Sequence, residues 1–390
     1  MSREYKTNLV ITIGVMFIIG VMFITADFKG GKEDGRENRI LSSFPSIWRD
    51  DGLNIRWGYE FEDWLKDNIG FRENLIKLNY ICRWKLFKEV ENEKYLVENN
   101  GWGFYIDAND GNCIDDYTGN NRYQTEELEF NKQNIERFVS AYQQIGYQDV
   151  YFIIAPSRMQ IESSYVPERY YRMNEEGRCK QLCNYVAHNQ DIHLIYPKES
   201  MIDLENAGHR TYYRYDIHWN RFGAYAAANE LLELMNLQKI PLDDCQIYQM
   251  ERQEPFGLVY GLCLENCVTD IPLEEFVGFQ NGTVTNNTGK KIEDLINADG
   301  DVTFTCTEAL TDHTAIVVGD SNRSALQSYL PYIFSECHMM ITSEDASEVL
   351  HHTNNKDIAI FVIDERYFPY SLNAYMFEGI HDYGVEYFVR

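Results

Sequence analysis

From 150 to 156 the chain reads VYFIIAP, apolar on every side chain over the length of a strand. The same pattern returns at IHLIYP (192–197), AIVVGDS (315–321), HMMIT (338–342) and IAIFVID (358–364). Amphipathic stretches lie between these runs: 130–145, 177–189, a helix from about Arg221, and two more that follow AIVVGDS and HMMIT. Short strands buried on both faces, alternating with helices that have one apolar side, predict a parallel sheet covered by helices above and below. The fold class is therefore α/β, a three-layer sandwich around a mainly parallel sheet. Upstream, Tyr59, Phe61, Trp64, Leu65, Ile69, Leu75, Leu78, Ile81 and Trp84 fall at helical spacing and predict two core-facing helices broken near Gly70. Between about 240 and 312 the helical period weakens and Gly, Thr and Asn accumulate, as in GFQNGTVTNNTGKK, which predicts a β-rich insertion.

The N-terminal pattern is of another kind. Residues 7–26 carry no charge, and as a helix they would be about 30 Å long, the thickness of a bilayer's hydrocarbon core. A cleaved signal peptide is the competing reading. However, the run exceeds the usual ~7–15 residue apolar region, and Ile24-Thr25-Ala26 makes a poor cleavage site, so an uncleaved transmembrane helix is favoured. A buried soluble helix fits less well, because the segment is apolar all round. Arg3 and Lys6 before it, against Lys29, Lys32, Arg36 and Arg39 after it, leave the orientation open. Residues 27–45 are Gly-rich and charged and read as a juxtamembrane linker. The domain plan is thus an anchor (1–26), a linker (27–45) and one large α/β domain (46–390) that contains the insertion and, on the residues singled out below, would be the catalytic one.

Charge narrows the function. With 35 basic and 61 acidic side chains in 390 residues the chain carries a net charge of −26 and has no Lys/Arg-rich stretch, which excludes a nucleic-acid binder. At 44% hydrophobic residues it is not disordered either. The nine cysteines are an odd number and too sparse for a disulfide scaffold; CKQLC and CLENC lack the spacing of a zinc site, so the thiols read as core residues, with one or two disulfides if the domain is exported.

Two segments carry chemistry. In AIVVGDS, Gly319 permits a sharp turn at a strand's carboxyl end, Ser321 would project there as a nucleophile, and the N–H groups after it would face a developing oxyanion. An ordinary helix cap is the alternative, since Asp and Ser are preferred caps. In YYRYDIHWNRFG, Asp216 and His218 are two residues apart, on the same side of an extended backbone, so the carboxylate can orient the imidazole as a general base. Here too a cap (Asp216 or Asn220) and a buried structural histidine are the alternatives. No further His or carboxylate is spaced to complete a metal site. The remaining histidines, among them His351 and His352 on the helix after HMMIT, read as surface residues.

D-x-H-W-N followed about 100 residues later by a strand ending in G-D-S resembles the alginate O-acetyltransferase (AlgX/AlgJ-like) and DHHW families, which are SGNH-hydrolase-like with the Asp-His element ahead of the Ser element. ENRILSSFP, DNIGFRENLIKLNY, IIAPSR, SYVP and IAIFVIDERYF extend the likeness over most of the chain from about Glu37. The resemblance assigns Ser321 as nucleophile, His218 as base and Asp216 as its orienting acid. Arg158, Asn220, Asn322 and Arg323 are second-rank candidates for substrate or oxyanion contacts. The chain departs from the pattern at Asn322, where the family usually has Phe, at Arg158, where Lys is common, and at Trp219, which follows His218 where DHHW members have a second His.

The resemblance implies a membrane-anchored, extracytoplasmic O-acetyltransferase without a cofactor. It would act on a cell-surface or exported polysaccharide through an acetyl-serine intermediate, with a multi-span membrane acyltransferase as acetyl donor. A carbohydrate esterase with the same triad and a non-catalytic glycan-binding protein are the rivals. The excess negative charge points to a neutral or cation-bridged glycan as acceptor.

Overall fold

The apolar runs become the strands of one sheet because each residue finds a core on its own side. The computed structural model describes residues 3–37, 39–50, 52–98, 100–250, 257–268, 273–276, 278–289, 302–341 and 357–368. The sheet has seven strands: β1 (Asp149–Ala155), β2 (His193–Ile195), β3 (Val284–Asn286), β4 (Val302–Cys306), β5 (Thr311–Gly319), β6 (Phe334–Ile341) and β7 (Ile358–Asp364), in the order β3-β4-β6-β5-β7-β1-β2. From β6 to β2 all neighbours are parallel, whereas β4 and β3 add antiparallel strands beyond β6. Two strands from the region expected as a β-rich insertion thus extend the main sheet. A separate antiparallel pair, Ile247–Met250 with Leu273–Phe276, comes from the same region.

Alternate residues supply the two cores, as the twofold period of a strand requires. Ile153, Val317, Met339 and Ile360 face one cluster, which contains Met201, Phe222, Ala227 and Leu231 of α6 (Lys198–Asn206) and α7 (Arg221–Leu234). Phe152, Ile154, Val318 and Phe361 face the other, with Ile135, Phe138 and Tyr142 of α4 (Thr125–Gln144) and Leu182 and Val186 of α5 (Arg178–Val186). These are the three layers of the expected sandwich. After β5 the expected helix is only two short turns, Arg323–Leu326 and Leu330–Ile333. The helix expected after HMMIT, with His351 and His352, lies outside the described residues.

The chain divides into two compact units, residues 1–90 with 259–268, and residues 91–258 with 269–390. Residues 46–90, expected within the catalytic domain, fall in the first. That unit holds α1 (Arg3–Ile24), α2 (Trp57–Asn68) and α3 (Arg72–Phe87). Within α1, Tyr5–Ile24 is long and apolar enough to cross a membrane, and none of it is buried. Residues 27–45, expected as a linker, are folded: Glu33–Asp34 pairs with Arg39–Ile40, and Arg39 donates to both carboxylate oxygens of Asp67, holding that group well below the ordinary carboxylate range. Phe23, Phe28, Phe44 and Phe61 surround the fully buried Trp64.

The expectation that both helices face a core is corrected here. Tyr59, Leu75 and Leu78 are exposed, and α3 buries no residue at all. Apolar residues recur on both sides of α3, and only the side with Ile76, Tyr80, Ile81 and Trp84 is even half-covered. All nine thiols are free: Cys113, Cys179, Cys263, Cys306 and Cys337 are buried and Cys82 is exposed.

Candidate active site

β5 ends at Gly319, and the turn after it brings Ser321 to the carboxyl edge of the sheet, where loops of an open α/β fold carry ligands. Gly319 is required by close approach: a Cβ there would lie 2.7 Å from Val362 Cβ and 2.8 Å from the Val362 carbonyl oxygen on β7. Gly319→Ala should therefore cost about 2 kcal/mol of stability, read from denaturant unfolding, and displace Ser321.

The Asp320 carboxylate organises the turn. It accepts the Asn322 N–H at 2.8 Å and the Asp364 N–H at 2.7 Å, which ties the residue beside Ser321 to the end of β7. Burial, with the charge of Asp364 added, pushes Asp320 up to about 6 against the opposing pull of these N–H donors.

The second segment is held from its C-terminal side. Asn220 caps α7, accepting the N–H groups of Phe222 and Gly223 at 2.9 and 3.3 Å, while its own amide donates to the Arg210 carbonyl. Small residues (Gly223, Ala224, Ala226, Ala227, Ala228) let α7 sit deep in the core, so the residues just before the cap have a fixed exit. Asp216, His218 and Ser321 form one chain of hydrogen bonds. His218 Nδ1 is 2.6 Å from Asp216 Oδ1, and His218 Nε2 is 2.6 Å from Ser321 Oγ. The His218 backbone N–H also donates to Asp216 Oδ1, at 3.1 Å.

Burial alone would raise Asp216, but the hydrogen bond and charge of His218 outweigh it and hold the carboxyl below its ordinary value. Burial alone would likewise lower His218, yet Asp216, helped by Asp320 and Asp364, raises it above its usual value. An ionised Asp216 can only accept, so the proton of neutral His218 sits on Nδ1 and Nε2 is free to accept from the serine hydroxyl. The arrangement can remove a proton from Ser321 and stabilise the imidazolium that results. Ser321 is exposed, so a substrate can reach it.

The second-rank candidates are all buried. Arg158 donates to the carbonyls of Gly103 and Arg214, and Asn220 is the helix cap. Asn322 and Arg323 lie on the turn itself, at 4% and 0% exposure. The N–H groups expected to face the oxyanion are engaged within the protein: Asn322 N–H on Asp320 Oδ1, Arg323 N–H on the Asp320 carbonyl and Ser324 N–H on the Ser321 carbonyl. The side chain of Asp320 and the first helical turn take these donors, which sequence spacing alone does not reveal.

One contact went unforeseen. Trp219, 1% exposed, donates its indole N–H to the Asn322 carbonyl at 2.9 Å, so the residue after the base holds the residue after the nucleophile. A cavity of about 20 Å³, room for one water-sized group, adjoins this region and is lined by Pro156, Ser157, Arg158, Ile217, Asp364 and Arg366 among others. A larger open cavity of about 580 Å³ lies along α6 and α7 and contains none of the candidate residues.

A family model described as "SGNH hydrolase-like domain, acetyltransferase AlgX" matches residues 113–323, more than half of the chain and the whole interval from Asp216 to Ser321. The chain belongs to the AlgX acetyltransferase family. As a member, it is an enzyme of the SGNH-type O-acyltransferase class. The structure of a DHHW family protein from Eubacterium siraeum is similar in fold, with a TM-score of 0.50 at 15% identity over 75% of this chain and 97% of that one. Bacillus cereus PatB1 with a sulfonyl adduct gives 0.48 at 14% identity, over 72% of this chain and 95% of that one. The O-acetyltransferase domain of Pseudomonas putida AlgJ gives 0.40 at 16%, over 70% and 90%. No curated protein sequence matches the chain. In this AlgX-family chain the Asp-His element precedes the Ser element by about 100 residues, and the sheet brings them to hydrogen-bonding distance.

Proposed function

We propose that the protein is a membrane-anchored, extracytoplasmic O-acetyltransferase that modifies a polysaccharide through an acetyl group carried on Ser321. The observation behind this reading is the unbroken line from Asp216 through His218 to Ser321, with both hydrogen bonds at 2.6 Å. His218 Nε2 takes the hydroxyl proton as Ser321 Oγ attacks the acetyl carbonyl of the donor. The donor's leaving group departs with that proton from His218, and an acetyl ester remains on Ser321. A sugar hydroxyl then gives its proton to His218 and attacks the ester carbonyl; Ser321 Oγ leaves and recovers the proton. Asp216 stays ionised throughout and balances the imidazolium in both halves.

The donor in this reading is a multi-span acyltransferase of the same membrane, with α1 keeping the enzyme beside it. The acceptor is a neutral or cation-bridged glycan, because a body of net charge −26 repels a bare polyanion.

The full chain in detergent, treated with an activated acetyl ester, should gain one acetyl group that peptide mass spectrometry assigns to Ser321, and Ser321→Ala should gain none. Wild type and variant equally unlabelled would overturn the reading. Adding neutral oligosaccharides to the labelled enzyme should move the acetyl group to sugar faster than water removes it. Loss to water at the same rate with or without sugar would make the enzyme an esterase.

A further inference from the structure

The chain has a surface that the acetyl chemistry does not use. α3 is a 16-residue helix with no buried residue, and Phe71, Leu75, Leu78 and Leu86, at 55, 42, 58 and 73% exposure, form one stripe along it. The spacing of 3 and 8 residues keeps Leu75, Leu78 and Leu86 within one narrow face, with the exposed Cys82 on the same line, and Phe71 stands at the helix's N-cap. The helix carries Arg72, Lys77, Arg83 and Lys85 against a single acid, Glu73; Arg72 pairs with Asp34 and Glu37 and Lys77 lies 3.8 Å from Glu265, while Arg83 and Lys85 flank the stripe on its two sides. Exposed apolar residues flanked by basic ones fit an anionic lipid surface: the apolar face enters the boundary between headgroups and acyl chains, and Arg83 and Lys85 meet the headgroups.

The start of the stripe is fixed to the end of the membrane span. Gly70 N–H donates to the Met22 carbonyl in the last turn of α1 at 2.9 Å, and Asp27 N–H donates to the Asn68 carbonyl at 2.9 Å. The approach is close enough that a Cβ on Gly70 would lie 1.9 Å from Thr25 Oγ1. On the anchor reading of α1, Phe71, the next residue, sits where the span leaves the hydrocarbon.

We infer that α3 lies on the bilayer that α1 spans, with Phe71, Leu75, Leu78, Cys82 and Leu86 in the acyl boundary, as a second membrane contact of this enzyme. The inference rests on the anchor reading of α1, and the test separates the two. The full chain with the part-exposed Cys183, Cys245 and Cys267 changed to Ser, labelled at Cys82 with an environment-sensitive fluorophore, is placed in phosphatidylcholine vesicles with or without phosphatidylglycerol; adding Cys82→Ser, which should leave almost no label, checks that the signal comes from this site. Retention after an alkaline carbonate wash reads the span alone, whereas quenching by headgroup-proximal doxyl lipid against aqueous iodide reads α3.

Lipid quenching should exceed iodide quenching several-fold and strengthen with the anionic lipid. Leu75→Glu with Leu78→Glu should reverse that ratio while leaving carbonate retention and Ser321 acetylation unchanged. A retained chain whose label is quenched by iodide and not by lipid overturns the inference and leaves the anchor standing. A washed-off chain whose label is still lipid-quenched before the wash overturns the anchor and keeps α3 as a surface contact. A label open to iodide in vesicles but shielded in native membranes overturns the lipid surface in favour of a membrane-protein partner.

Discussion

Asp216→Asn is expected to slow acetylation of Ser321 by about 10³–10⁴-fold with little change in the fold. The amide keeps the size of the carboxylate but removes the charge that holds the proton on Nδ1 and balances the imidazolium. In the proposed mechanism His218 takes a proton only when neutral, so the wild-type rate should rise with pH through a value above that of an ordinary histidine, because Asp216 raises the His218 pKa. In the variant, burial, which lowers His218, loses its main opponent, and the rising limb should move to lower pH. A stopped-flow pH profile of acylation checks both features. An unshifted limb with an unchanged rate would mean that Asp216 only caps the backbone N–H of His218.

Trp219→Ala is expected to cost about 3–5 kcal/mol, as removal of a fully buried indole does, and to abolish acylation even where the protein remains folded. Trp219→Phe separates packing from hydrogen bonding. It keeps most of the ring but strands the buried Asn322 carbonyl, at a cost of about 1–3 kcal/mol in unfolding experiments. It should also lower the acylation rate at fixed His218 and Asp216, because the turn bearing Ser321 loses its tie to the segment bearing the base. A Phe variant that acylates at the wild-type rate would reduce Trp219 to a packing residue.

Much of the sheet could be read directly from the residues, since a strand buried on both faces is built mainly from apolar side chains, as VYFIIA and IAIFVI are. The D-x-H pairing was legible too, though for another reason than the extended backbone expected: residues 216–218 form a bend, and the His218 N–H on Asp216 Oδ1 closes a turn that brings the ring to the carboxylate. The link from Trp219 to Asn322 was not. It joins residues 103 apart, and nothing in the local pattern of either segment points to the other. The engagement of the N–H groups after Ser321 was not legible either: a Gly-Asp-Ser turn looks the same in sequence whether the Asp side chain faces solvent or, as here, accepts the Asn322 N–H. For α3 the helical period was right, but periodicity cannot say whether an apolar stripe is covered by protein, and here it is bare.

The two ends of the sheet have a bearing on crowding. β2 and β3, which end the sheet among the described residues, are each only three residues long, whereas the central β5 and β7 span nine and seven. An open strand of that length gives a neighbouring copy too few backbone groups to zip onto. Molecules confined to one membrane plane meet far more often than the same number free in solution. In the proposed membrane-anchored state, copies can be packed densely without their sheets joining edge to edge through these strands.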